Sequence, residues 1–209
     1  FIAALTDIYG DFELAVEKLH DILRIKGKVV PVTSEDVTLC ARLKNGKIIR
    51  GESKIPKAVS KMESPIEEVF LEPSGVQPLN SAVEAIMNAD MIVLGPGSLY
   101  SSIIPNLLVG GISDAIRSAG GMKVIVCNVM TQAGETDDYT VVDYVDAIEK
   151  YLGSGVAEYI LINDHICQPE ELNAYICRGT RQMCAGSGER EILAQRGITV
   201  IESNLIDIS

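Results

Sequence analysis

Apolar and polar positions alternate in two different rhythms along this chain. Near the start, Phe1, Ile2, Leu5 and Ile8 recur at helical spacing. Asp11 is placed to cap a second helix, FELAVEKLHDIL, in which Phe12, Ala15, Val16, Leu19, Ile22 and Leu23 share one face, and Gly27 ends it. Period-two runs follow. They predict strands over Lys28–Val32, Val37–Leu43, Lys47–Ile55 and Ile66–Pro73. Asn45-Gly46 lies between the second and third of these and predicts a two-residue hairpin with both turn residues at positive φ.

After residue 73 strands and helices alternate. A helix is expected over Leu79–Asn88 and a strand over Met91–Leu94. Helical segments are expected between Ser98 and Ser118, then a strand over Lys123–Asn128. A helix over Tyr139–Leu152 and a strand over Ala157–Asn163 follow. Helices at Glu170–Tyr175 and Glu189–Gln195 and a strand at Ile198–Ser203 complete the pattern. The later strands are apolar throughout, as expected of a parallel sheet covered by helices on both faces. The chain therefore reads as an α/β protein with a Rossmann-like three-layer fold. Residues 1–209 form a single α/β domain with a mostly parallel sheet, and 28–73 form an antiparallel hairpin lobe or insertion.

Ligands of open α/β sheets bind beyond the carboxyl ends of the strands, so those ends are where chemistry is sought. The first is Gly95-Pro96-Gly97-Ser98. Its glycines admit a tight turn and a close ligand, and Ser98 is placed to cap the next helix. The second is the polar run from Asn128 to Thr136. Asn128 and Gln132 offer amide donors and acceptors to a base edge or sugar hydroxyls. Thr131 and Thr136 can donate to phosphate oxygens, and Glu135 can accept from a ribose hydroxyl or hold a metal. The third, Asn163-Asp164-His165, is weaker, since a lone loop histidine is usually just solvated. No Walker loop, Gly-x-Ser-x-Gly elbow or His-Glu-x-x-His motif is present.

Composition narrows the partners. A formal net charge of −11 argues against nucleic acid and anionic membrane surfaces. It leaves room for an anionic small molecule held by backbone amides. No apolar run approaches the roughly 20 residues of a membrane span, and no signal peptide is visible. Five cysteines without a Cys-x-x-Cys pair read as free thiols of a reducing, cytoplasmic setting. Zinc ligation by Cys167, Cys177, Cys184 and His165 has the wrong spacing.

"VLGPGSLYSSIIPNLLV", followed by "VCNVMTQAGETDDYTVVDYV", resembles the CofD/YvcK-like family, which includes 2-phospho-L-lactate transferase. "AALTDIYGDFELAVEKLHDILRIKGKVVPVTSEDVTLCARLKNG" with "GESKIP" resembles its gluconeogenesis-factor branch. The resemblance implies that these residues correspond to the family's later two-thirds. The first strand and glycine-rich phosphate loop would then lie before Phe1, leaving the sheet and the site incomplete. It also implies a nucleotide-related ligand. In the gluconeogenesis-factor branch that ligand is a UDP-sugar, bound without an established reaction, in a regulator of carbon metabolism and cell shape. In the transferase branch a phospho-organic acid passes from a nucleotide to a deazaflavin acceptor. No cofactor follows from the first reading; the second would bring a divalent metal such as Mg. Gly95, Pro96, Gly97 and Ser98 would form one wall of the cleft, and Asn128, Thr131, Gln132, Glu135 and Thr136 the next. Tyr175 matches a ligand-binding tyrosine of the branch, and Ala133 stands where proline is common. The resemblance allows a homo-oligomer.

Overall fold

A computed structural model describes residues 1–23, 26–167 and 180–206. Strands β1 (Thr38–Leu43), β2 (Ile48–Arg50) and β3 (Ile66–Glu72) form an antiparallel sheet in the order β2-β1-β3. Strands β4 (Met91–Leu94), β5 (Met122–Val126), β6 (Tyr159–Asn163) and β7 (Thr199–Ser203) form a parallel sheet in that same order. The α/β architecture with an antiparallel lobe is thus as the residue pattern predicts.

The lobe departs from expectation in three places. Lys28–Val32 is not a strand. Pro31 has no amide to give to a ladder, and Val32 contributes one tie, its carbonyl accepting from the Leu79 amide at 2.8 Å. The β1–β2 connection is not a two-residue turn. The Leu43 carbonyl accepts from Gly46 and its amide donates to Lys47, so the loop has three residues and only Gly46 takes positive φ (82°). The third expected strand stops at Arg50. Gly51 (φ 98°) turns the chain into a 3-10 turn, Glu52–Lys54, and then helix α3 (Ile55–Met62), with Pro56 in its first turn and Ile55 and Val59 buried.

The remaining helices are α1 (Ile2–Tyr9), α2 (Phe12–Leu23), α4 (Asn80–Met87), α5 (Ile104–Leu107), α6 (Ile112–Ser118), α7 (Val141–Leu152) and α8 (Ser187–Gln195). Asp11 caps α2 as expected, its Oδ1 accepting from the Leu14 amide at 2.7 Å. Thr140 and Asp143 close a capping box on α7, and Glu189 of α8 accepts from the amides of Val141 and Val142.

Helices α6, α7 and α8 pack side by side over one face of the parallel sheet, where Leu94, Ile125, Ile160 and Ile162 are buried. The far side of this helical layer meets the lobe. The Tyr151 hydroxyl accepts from the Val69 amide at 2.8 Å, and Lys150 donates to the Glu67 carbonyl at 2.5 Å. The observed layers are therefore parallel sheet, helices, antiparallel sheet. The expected second helical layer is not among the described residues. Met91, Val93, Met122 and Ile201, on the opposite face of the parallel sheet, are exposed. Among the described residues no single helix is long and apolar enough to cross a membrane.

Candidate functional site

The carboxyl ends of β4 and β5 bring the two predicted loops together. Chain direction after β4 is set by Gly95. Its φ is 104°, and a Cβ there would lie 2.8 Å from the Val126 carbonyl oxygen, so neither the backbone nor the space admits another residue. A cis Gly95-Pro96 bond follows, then Gly97 and Ser98. The Ser98 carbonyl accepts from both Ser102 (2.9 Å) and Ile103 (3.0 Å), which makes Leu99–Ile103 a π-helical turn. Such turns recur at functional sites.

Asn128, one residue beyond the Cys127 that ends the apolar run, reaches across to the first loop. Its Nδ2 donates to the Gly97 carbonyl at 2.8 Å, and its Oδ1 accepts from the Gly97 amide at 3.4 Å. Gln132 makes a parallel tie, its Nε2 donating to Ser98 Oγ at 2.7 Å. The Ser98 hydroxyl therefore binds the neighbouring loop and does not cap the turn it precedes, contrary to expectation. These amides hold the walls at a fixed separation and retain acceptor and donor capacity for a ligand, because each amide offers four hydrogen-bonding positions.

Between the walls lies an open cleft of about 470 Å³, lined by Gly97, Ser98, Asn128, Val129, Met130, Thr131, Gln132, Ala133 and Thr180. None of these side chains is ionisable. Thr131 is buried and already engaged, its Oγ1 accepting from the Arg181 amide at 2.9 Å while its own amide donates to the Arg181 carbonyl at 2.8 Å. The segment around Arg181 was not singled out by sequence reasoning. It pairs antiparallel with the polar loop through Met130 and Gln182, and Met183 donates to the Val129 carbonyl at 2.8 Å.

Thr136 and Glu135 stand elsewhere. Thr136 is buried under the loop, its Oγ1 accepting from the Gln132 amide at 2.8 Å, so it braces the loop and does not face the cleft. Glu135 is also buried. Its Oε2 accepts from the Tyr100 amide at 3.2 Å and its Oε1 from Ser101 Oγ at 3.1 Å. The carboxylate thus caps the π-helical turn, a role the sequence pattern assigned to Ser98. Burial raises its pKa, the two hydrogen bonds oppose the rise, and the charge of Glu52 adds to it. Glu135 faces a separate hollow of about 410 Å³ between α3 and the loop, which Val59, Glu63, Pro65, Asp137 and Tyr139 also line. There the loop presses on α3: a Cβ on Gly134 (φ 79°) would lie 2.3 Å from the Pro56 carbonyl oxygen. Tyr139 and Tyr100 join their hydroxyls at 2.6 Å with rings edge to face.

The third strand end is structural. Buried Asn163 donates to the His165 carbonyl at 2.7 Å and accepts from the Leu205 amide at 3.0 Å. Cys40, Cys127 and Cys184 are free thiols, and burial pushes Cys127 up to about 12. Tyr175, Cys177 and the helix expected at Glu170–Tyr175 lie outside the described residues. Among the described residues no three His, Cys, Asp or Glu side chains gather into a metal-binding group. With Glu135 held by Tyr100 and Ser101, these residues do not fit a divalent ion.

Known proteins share this sequence pattern and fold. The family described as 2-phospho-L-lactate transferase CofD matches residues 1–206. The gluconeogenesis factor of Bacillus subtilis is 38% identical over 205 residues, covering 98% of this chain and 62% of that protein. The gluconeogenesis factor of Halalkalibacterium halodurans is 45% identical over 162 residues, covering 78% of this chain and 49% of its own length. A crystal structure of a Bacillus halodurans protein superimposes with a TM-score of 0.92 at 36% identity, covering all of this chain and 65% of that one. The chain thus spans roughly half to two thirds of the length of these relatives.

Proposed function

The chain belongs to the 2-phospho-L-lactate transferase CofD family, and from that premise we propose that it is the cleft-bearing part of a nucleotide-sugar-binding regulator of the gluconeogenesis-factor type. The ligand is a UDP-sugar, and the protein acts in the cytoplasm on carbon metabolism and cell shape. The observation that carries this reading is the make-up of the cleft. It opens at the carboxyl ends of parallel strands, where α/β sheets take nucleotides. Its polar lining consists of backbone, hydroxyls and the amides of Asn128 and Gln132, beside the apolar side chains of Val129, Met130 and Ala133. Such groups read a base edge and sugar hydroxyls by hydrogen bonding and have no proton to exchange near neutral pH.

The family description favours one other reading, a phosphotransferase acting on a nucleotide-activated phospho-organic acid. Titration calorimetry of the full-length protein with UDP-N-acetylglucosamine separates the two. The regulator reading expects binding without turnover. It also expects Asn128→Ala to weaken affinity by about five- to hundredfold, the equivalent of roughly 1–3 kcal/mol for one buried polar contact. Metal-dependent consumption of a nucleotide donor would replace it with the transferase reading. Undiminished affinity in Asn128→Ala would take the polar loop out of the site.

A further inference from the structure

Gly97, Asn128, Gln132 and Ser98 form a chain of hydrogen bonds whose direction is set from one end. The Gly97 carbonyl accepts from Asn128 Nδ2 at 2.8 Å, and the Gly97 amide donates to Asn128 Oδ1 at 3.4 Å. A carbonyl needs a donor opposite it and an N–H needs an acceptor, so the Asn128 amide has one orientation. Its Nδ2 gives a second hydrogen to Gln132 Oε1 at 3.4 Å. That contact is long, yet it sets the Gln132 amide, which if turned over would oppose its NH2 to that of Asn128. Gln132 Nε2 is then the group that meets Ser98 Oγ, at 2.7 Å. The serine oxygen accepts there, so its own proton points away from Gln132. Among the described residues that proton has no acceptor. Ser98 lines the cleft.

We propose that the Ser98 hydroxyl is a one-way donor to a phosphoryl oxygen of the ligand, and that Gln132 is the positioning residue that gives it this direction. The identity of the acceptor rests on the nucleotide reading above; the direction of the proton does not. A hydroxyl ordinarily rotates to donate or accept as its neighbour requires. Here one side of the oxygen is occupied by an amide donor, and the proton is left for the cleft. A phosphoryl oxygen can only accept, and a hydrogen bond to an anion is about twice as strong as one between neutral groups. The chain carries a formal net charge of −11, but no ionisable side chain lines this cleft. The nearby carboxylate of Glu135 is turned to Tyr100 and Ser101. The lining therefore holds no charge that would repel an anion at Ser98. Asn128 is polarised the other way. With both hydrogens of Nδ2 engaged, it offers a ligand only the remaining lone pair of Oδ1. The wall thus takes an acceptor at Ser98 and a donor, a base N–H or a sugar hydroxyl, at Asn128.

The experiment compares UDP with uridine on the full-length protein by ligand-observed NMR, so that the ratio of the two affinities isolates the phosphates. Ser98→Ala removes the donor. It should weaken UDP binding by about tenfold or more and leave uridine within about twofold. Gln132→Glu keeps the shape of the side chain and the acceptor for Asn128, but turns the serine proton toward the new carboxylate. It should weaken UDP at least as much as Ser98→Ala does. Added to Ser98→Ala, the same Gln132→Glu change should weaken UDP by about threefold less than it does alone, because only its charge then acts. UDP and uridine weakened in parallel by Ser98→Ala would overturn the phosphoryl assignment. An equal effect of Gln132→Glu in both backgrounds would overturn the positioning role, since charge repulsion would then account for all of it. If the wild type binds neither compound, the nucleotide reading falls and the acceptor assignment falls with it. A wild type that binds both, at a ratio the variants leave untouched, spares that reading and sinks this inference alone.

Discussion

Replacing Glu135 with alanine should destabilise the protein well beyond the effect of an ordinary loop substitution. The carboxylate accepts two hydrogen bonds, from the Tyr100 amide and the Ser101 hydroxyl, in a buried setting. A hydrogen bond to a charged group contributes about 1.5–3 kcal/mol, and an orphaned buried donor costs about 1–3 kcal/mol. Ser101 is only partly buried and can turn its hydroxyl to water, so the Tyr100 amide dominates the loss. Removing the carboxylate also ends the cost of burying its charge, which offsets part of that loss. A net destabilisation of about 2 kcal/mol follows, or a melting temperature lower by roughly 4–8 °C for a chain of this size. Glu135→Gln keeps one oxygen for the Tyr100 amide and should lose less than half as much. The pH dependence carries a second signature. Because burial raises the folded pKa of Glu135 above its unfolded value, the folded state holds this proton more tightly. The resulting stabilisation is fully present below the ordinary glutamate range and is lost as pH rises through the folded pKa. The stability of wild type relative to Glu135→Gln should therefore decline as urea titrations move upward from about pH 4. A melting temperature of Glu135→Ala within 1 °C of wild type would refute the capping role, and a difference from Glu135→Gln that does not vary with pH would refute the rise in pKa by burial.

Two glycines should separate binding from stability. Gly97 lines the cleft with ordinary φ, and a Cβ there would meet Ser102 at 3.3 Å, so Gly97→Val should reduce UDP-sugar affinity far more than it reduces the melting temperature. Gly134→Ala should do the opposite, because the Pro56 carbonyl blocks its Cβ and its φ is positive; calorimetry and thermal melts on both variants check the crossing pattern. In the lobe, Asn45-Gly46→Ala-Ala should cost about 1–2 kcal/mol, nearly all from forcing alanine into the left-handed region at 46, with affinity unchanged. An affinity loss in that folded variant would show that the lobe's far end reaches the site.

The four parallel strands, α1, α2 and the loops at the strand ends could be read from the chain because each depends on neighbours in sequence: apolar runs, a capping Asp11, glycines at Gly95 and Gly97. Helix α3 was hidden, although Ile55, Val59 and Met62 carry its spacing and Pro56 its start. The β-branched run before Gly51 suggested that the strand continued. At the site, the loops were legible and their internal economy was not. Ser98 reads as a helix cap and Glu135 as a ligand group until the fold sets Gln132 against one and Tyr100 against the other. Those pairings span 34 and 35 residues of chain and leave no local pattern. Thr131 likewise reads as a phosphate donor, and only its meeting with Arg181 across 50 residues shows why it is buried.

The stitch between the polar loop and Arg181 has a consequence for how the chain can vary. Gln182 accepts from the Cys167 amide at 3.1 Å and donates to the His165 carbonyl, while Thr131 fixes Arg181. Positions 167 and 182 are therefore closed on one another whatever length of chain runs between them. The entropy of closing a loop grows only with the logarithm of its length, so doubling that excursion would cost about 0.6 kcal/mol. Insertions, deletions and wholesale exchange between 168 and 179 can then accumulate without moving the sheet. A lineage could thus change the length of chain joining 167 to 180 while inheriting the frame of the polar loop unchanged.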